Sequence, residues 1–368
     1  MAGLLQDPRG SLVLAERGDA EPVTRHPDFR LFAAMNPATD AGKRDLPAPL
    51  RNHFTEVWVA EPSQTEDLRA MVTSYLGQTT PRGVVEGVVS FYRAAKADRG
   101  LVDGAGACPV FNLRTLCRAL EYVRAATARY GPLRALADGF DMAFGTALEA
   151  RSAARLRYAI QTHLLGGAGY GATTSGAAGA PPGDCHVCVE GYWLERGPAE
   201  AVPRERDAQG RVFMETPAVR AHVRNLARAL VLRRCPILLQ GPTSSGKTSL
   251  VGYLAARTGH ACVRINNHDS TDLQEYLGRY VSDEHGRLVF AEGALVQAAR
   301  RGDWVVLDEL NLAPSDVLEA LNRWEKRVAE RVEGWHARGA KGNAWLRGTF
   351  LTNVGVCQLK GVLPLVLT

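Results

Sequence analysis

Residues Gly241-Pro242-Thr243-Ser244-Ser245-Gly246-Lys247-Thr248-Ser249 set two glycines, a lysine and a run of hydroxyls in the order that binding a polyphosphate requires. Gly241 and Gly246 let the backbone curl until its N–H groups converge on one anion, with Pro242, Thr243, Ser244 and Ser245 making the turn between them. Lys247 then reaches the β- and γ-phosphates, and the Thr248 hydroxyl is offered to Mg²⁺. The cofactors this implies are ATP and Mg²⁺.

A second set of chemical groups stands roughly 60 residues downstream, where the apolar run Trp304-Val305-Val306-Leu307 ends in Asp308-Glu309. Asp308 would join Thr248 in holding the metal, through water, and Glu309 would orient and deprotonate an attacking water. Acids at the end of a buried strand are common as solvated strand ends. Their pairing with the phosphate loop is what makes them catalytic candidates.

The elements that must position these groups are legible around them. Pro236-Ile237-Leu238-Leu239-Gln240 is a short apolar strand running into the loop, and Ser249 to Leu254 continues as a helix. A helix from Pro217 to Leu232, capped by Thr216, precedes the strand. Cys262 to Asp269 reads as a second core strand running into a polar turn. Upstream, 3.6-residue spacing predicts helices from Thr65, with Thr65 as N-cap, and over about 82–97, 112–130 and 133–165. Residues 3–27 suggest a β-hairpin, and Phe29 to Met35 reads as a buried strand that stops at Asn36-Pro37. Residues 166–183 are small and almost uncharged, which predicts a flexible linker. Cys185-His186-Val187-Cys188 has the spacing of half a zinc site, but no second half is found, so a zinc site is not expected.

The segment from Ala33 to Val59, containing Asn36, Gly42-Lys43-Arg44-Asp45-Leu46-Pro47, Leu50-Arg51-Asn52 and Phe54-Thr55-Glu56, resembles the second half of a large domain of the midasin-type AAA+ ATPases. Residues 215–323 resemble the first half of the next such domain, with Thr271 to Val296 similar to its helix 2 insertion, a type of insert that lines the central face of AAA+ rings. The resemblance implies a P-loop AAA+ α/β fold, with a three-layer αβα core split over two partial modules and a small all-α lid domain between them. It makes Asn36 the sensor 1 residue and Arg114, in Asn112 to Leu120, the sensor 2 residue. The family places an arginine finger immediately before Phe-Thr-Glu. Here that position is His53, which lacks a permanent guanidinium charge, leaving Arg51 or Arg44 as substitutes.

The domains expected are therefore 1–62, the end of one large domain; 63–165, the lid; 166–214, linker and a short β segment; 215–323, the start of the next large domain; and 324–368, a divergent tail. Leu4 to Gly10 has the character of the segment that the family carries directly after the position of Arg323, so the chain reads as one repeat period of about 320 residues, a fragment or an incorrect gene model. The tail offers no second strand ending in Asn-Pro. The implied partners are neighbouring modules of one ring and the pre-60S ribosomal particle, and the implied compartment is the nucleus, both nucleolus and nucleoplasm. A MoxR-like chaperone is disfavoured because such proteins carry a complete module in a shorter chain. A non-catalytic nucleotide-binding piece is the other alternative, and Glu309 argues against it.

Bulk properties are compatible with this. A 46% hydrophobic and 23% charged chain of 368 residues is ordinary for a soluble protein. Its net charge of +5 is mild and spread out, so direct sequence-specific nucleic-acid binding is not expected. Seven cysteines in a long chain suggest reduced thiols in an intracellular protein. Asn353, Gln358, Lys360 and Pro364 interrupt the one apolar stretch worth considering for a membrane.

Overall fold

Apolar spacing and turn residues produce helices over 65–164 and alternating strands and helices over 217–321, as the computed structural model of the chain shows. It describes residues 11–12, 23–24, 26, 28–35, 46–174, 179–201, 212–232, 236–321 and 365–367. Asn36, Arg44, Arg323 and residues 324–364 lie outside these. Contacts divide the chain at Ser63 into two units.

In the first unit, β1 (Ser11–Leu12) pairs antiparallel with β2 (Val23–Thr24), within the hairpin expected there. Phe29 to Met35, expected as a buried strand, instead runs extended outside any strand, with Phe32 89% exposed. A strand is buried only by neighbours on its faces and edges, and the described residues of this unit supply none. A four-residue helix comes next, α1 (Ala48–Arg51), and then the exposed run Val57-Trp58-Val59.

The second unit begins with a helical bundle: α2 (Thr65–Leu76), α3 (Arg82–Ala97), α4 (Leu113–Tyr130), α5 (Pro132–Phe140) and α6 (Ala150–Leu164). Gln64, not Thr65, is the N-cap of α2, and Glu66 and Asp67 occupy its first turn. Asn112 caps α4 by accepting from the Thr115 N–H. The single helix expected over 133–165 is broken. A π-turn at Asp141–Gly145 ends the first part, and α6 starts only at Ala150. The inserted turn points Phe144 into the core, where Phe91 packs edge-on against both Phe140 and Phe144 at 5.2 and 5.4 Å. Part of the expected linker also folds. Residues Tyr170–Thr174 form a short helix, α7, whose Thr174 is buried and accepts from Arg224 through its carbonyl.

A hairpin of β3 (His186–Val189) and β4 (Tyr192–Glu195) leads to α8 (Pro217–Leu230), capped by Thr216. Then come β5 (Ile237–Leu238), α9 (Lys247–Thr258), β6 (Cys262–Asn266), α10 (Leu273–Leu277), the hairpin β7 (Gly278–Ser282) and β8 (Leu288–Glu292), α11 (Ala294–Arg301) and β9 (Trp304–Asp308). The sheet is parallel, in the order β5-β10-β9-β6, where β10 is Leu365–Leu367. The tail, expected only to be divergent, thus contributes a strand between the phosphate-loop strand and β9. β6 is an edge strand and mostly exposed rather than a core strand.

Every residue of β9 is buried. Trp304 and Val306 pack with Val223, Leu226, Val251 and Leu254 of α8 and α9, while Val305 and Leu307 pack with Tyr276, Leu295 and Ala298 of α10 and α11. Helices on both faces of a parallel sheet give the three-layer αβα arrangement of an AAA+ domain.

Bundle and sheet are joined through a buried ionic cluster. Arg228 of α8, 3% exposed, donates to Asp141 at 2.8 Å and lies 3.6 Å from Asp138. Arg157 donates to Asp141 at 2.9 Å, Arg134 sits 3.4 Å from Asp138, and the Tyr192 hydroxyl donates to Asp138 at 2.8 Å. Burial alone would raise the Asp141 carboxyl, but Arg228 and Arg157 together hold it below the usual carboxylate range.

Candidate functional site

The loop between β5 and α9 takes the conformation its residue types allow. Ser244 and Gly246 both have left-handed backbones, at φ 64° and 82°, and the Ser245 N–H closes a turn onto the Pro242 carbonyl at 3.3 Å. Gly246 needs its missing Cβ here, since a left-handed backbone strains other residues. The first turn of α9 begins at Lys247, so the N–H groups of Lys247, Thr248 and Ser249 have no intrahelical acceptor. Lys247 lies across the loop, its Nζ donating to the carbonyls of Gly241 and Pro242 at 3.1 Å each. Gly241 to Ser245 are exposed.

The structure brings the end of the loop and the first of the two acids together. Thr248 Oγ1 donates to Asp308 Oδ2 at 3.2 Å, and Asp308 is buried. A hydroxyl and a carboxylate meeting at one point, beside an exposed anion-binding loop, are the hard oxygen donors that Mg²⁺ takes alongside water and phosphate. The residues present therefore fit that ion. The next residue, Glu309, is exposed and left-handed at φ 50°, which turns the chain off the sheet into a 3₁₀ turn at Leu310–Leu312.

Three residues of this site escaped the sequence reading. Asn267, 4% exposed, donates to the Asp308 carbonyl twice, from its backbone N–H at 3.0 Å and its Nδ2 at 2.8 Å. The buried Tyr276 hydroxyl donates in turn to Asn267 Oδ1. This pair fixes the backbone from which Glu309 projects. Arg264 of β6 is ion-paired with Asp308 Oδ2. An Asn-Asn pair at a strand end was the one signal available for the first of these.

The other expected site residues stand as follows within their own units. Arg114 is exposed in the first turn of α4 and makes no hydrogen bond or ion pair among the described residues. Arg51, in the first unit, is held bidentate by Glu56 at 2.6 and 2.7 Å, and that hydrogen bond lowers the Glu56 carboxyl. Among the described residues no three His, Cys, Asp or Glu side chains form a metal cluster, Cys185 and Cys188 included.

Comparison with known proteins gives a consistent picture. Residues 67–167 match the midasin AAA lid domain, and residues 236–340 match the AAA domain of the dynein-related subfamily. The chain is 46% identical over 326 residues to midasin of Dictyostelium discoideum, covering 85% of this chain and 5% of that protein. It is 38% identical over 334 residues to midasin of Giardia intestinalis, covering 82% of this chain and 7% of that protein. Over 87 residues, 24% of this chain and 32% of the other, it is 38% identical to protein NorQ of Paracoccus denitrificans. The chain thus spans a small part of the midasins it matches.

Proposed function

We propose, from the premise that this chain belongs to the midasin family of AAA proteins, that residues 215–323 bind ATP with Mg²⁺ and hydrolyse it as one module of an AAA+ ring. The observation that carries this reading is the contact from Thr248 to Asp308 at 3.2 Å, which ties the phosphate loop to the buried strand β9 where hydroxyl and carboxylate would hold a metal. Bound Mg²⁺ supplies neutralising charge to the β- and γ-phosphates. This chain's own residues do the remaining work. Lys247 exchanges the Gly241 and Pro242 carbonyls for phosphate oxygens, and the N–H groups at the start of α9 cradle the β-phosphate. Glu309, exposed at the end of β9, takes the proton of the attacking water.

Asn36 and Arg114 belong, in this reading, to the preceding module's nucleotide. The finger arginine for residues 241–248 comes from a neighbouring module, and such a finger is worth roughly 10³ to 10⁵ in rate. The isolated chain therefore binds nucleotide and turns it over slowly. Within the family the wider role is remodelling of pre-60S ribosomal particles in the nucleus, with adjacent modules of the ring as direct partners. Titration with a fluorescent ATP analogue tests the core of this. Lys247→Ala should abolish binding, because a charge-assisted contact and the loop geometry are lost together, and Glu309→Gln should keep it. Unchanged affinity in Lys247→Ala would refute the assignment.

A further inference from the structure

One oxygen of the site serves two partners. Asp308 Oδ2 accepts from Thr248 Oγ1 at 3.2 Å and is also the atom paired with Arg264. The two sides of that ion pair differ in freedom: the Asp308 side chain is 9% exposed and fixed at the end of a buried strand, whereas the Arg264 side chain is 55% exposed on the edge strand β6. In the register of the sheet Asn266 lies opposite Asp308, and Arg264 sits two residues earlier on the same face of β6. Its long side chain reaches forward to the carboxylate and can withdraw into solvent with no change of backbone.

We propose that Arg264 is a positioning residue and exchangeable counter-ion of Asp308. It neutralises the buried carboxylate and keeps Oδ2 turned toward Thr248, until a divalent cation arriving with its nucleotide displaces it. A guanidinium and a doubly charged cation repel each other at one carboxylate oxygen, so metal entry and arginine departure are a single exchange. The site is thereby biased against taking a metal ion alone and toward taking the metal–nucleotide complex, whose phosphate charge offsets the displaced arginine. This rests on the nucleotide-binding reading above.

The test is a Mg²⁺ titration of the full chain at fixed fluorescent ATP analogue, alongside Mn²⁺ binding to the nucleotide-free chain followed by electron paramagnetic resonance. Arg264→Gln should lower the half-saturating Mg²⁺ concentration about tenfold and tighten Mn²⁺ binding. Arg264→Lys, which keeps the charge, should stay within about twofold of the parent chain. In an Asp308→Asn background, Arg264→Gln should change neither quantity, since the pair is already broken. An equal or higher metal requirement in Arg264→Gln would overturn the proposal. If the parent chain binds no nucleotide at any Mg²⁺ concentration, the nucleotide reading falls, and the Mn²⁺ arm still decides for or against Arg264.

Discussion

Replacing Asp141 with leucine leaves the buried Arg228 only the 3.6 Å contact with Asp138 that it shares with Arg134, and takes from the half-buried Arg157 its Asp141 bond. In the parent chain Arg228 is 3% exposed and its 2.8 Å contact to Asp141 is its shortest ionic bond. Stranding a buried charge in this way costs about 3–5 kcal/mol. Arg228→Met removes one charge but leaves two balanced pairs, Arg134 with Asp138 and Arg157 with Asp141, so its cost is smaller, about 1–3 kcal/mol. For a unit of this size 1 kcal/mol moves the melting temperature by about 2–4 °C, which puts Asp141→Leu roughly 6–20 °C below the parent chain. Calorimetry on both variants reads the order directly. The pH dependence has a defined sign. The Asp141 carboxyl is lowered on folding, so its contribution is present above the unfolded value of about 3.9 and is lost as pH falls through the lower folded value. The gap between parent and Asp141→Leu should therefore close below about pH 4. A melting temperature for Asp141→Leu within about 2 °C of the parent, or a greater loss in Arg228→Met, would refute the charge-balance argument.

Two smaller perturbations probe the half that carries the phosphate loop. Tyr276→Phe removes the donor to Asn267 Oδ1 inside the core and should cost about 1–2 kcal/mol in chemical denaturation, with nucleotide affinity changed less than about twofold; no loss of stability would mean that the pair does not hold the β9 end. Gly278→Ala places a Cβ 2.2 Å from the Ala291 carbonyl at a residue with φ 118°, and should cost roughly 2–3 kcal/mol. Hydrogen exchange should then report faster opening of β7 and β8 and an unchanged bundle, and equal protection in the hairpin would contradict it.

What could be read in the sequence was whatever local pattern determines. Gly246-Lys247-Thr248 after an apolar run, the buried strand ending in Asp308-Glu309, and the boundaries of α3, α4 and α8 all emerge from spacing and capping within a few residues. Apart from Thr248 with Asp308, which the motif pair announces, contacts between distant segments were not legible. Nothing in Asp138 or Asp141 announces that Arg228, nearly ninety residues later, will neutralise them, and two acids inside an apolar helical pattern read as surface. The same limit hid the π-turn, because Phe140 and Phe144 keep a helical spacing while the turn between them widens. It also hid Arg264, whose position on β6 looks like an ordinary exposed edge until Asp308 is placed beside it. Phe29 to Met35 shows the converse: a strand pattern states what a segment would bury, not that a partner is at hand.

The left-handed backbone of Glu309 sets heat resistance against chemistry in this domain. A side chain held at φ 50° carries about 1 kcal/mol or more of strain that glycine would not, and asparagine would feel less of it. Any selection that rewards survival at high temperature, and nothing else, is therefore offered a stabilising step at the one position from which the proton of water is proposed to be taken. Glu309→Gly would melt later and, on the proposed role of Glu309, lose hydrolysis. On the proposed role, a glutamate at this position marks turnover, rather than endurance, as the quantity under selection.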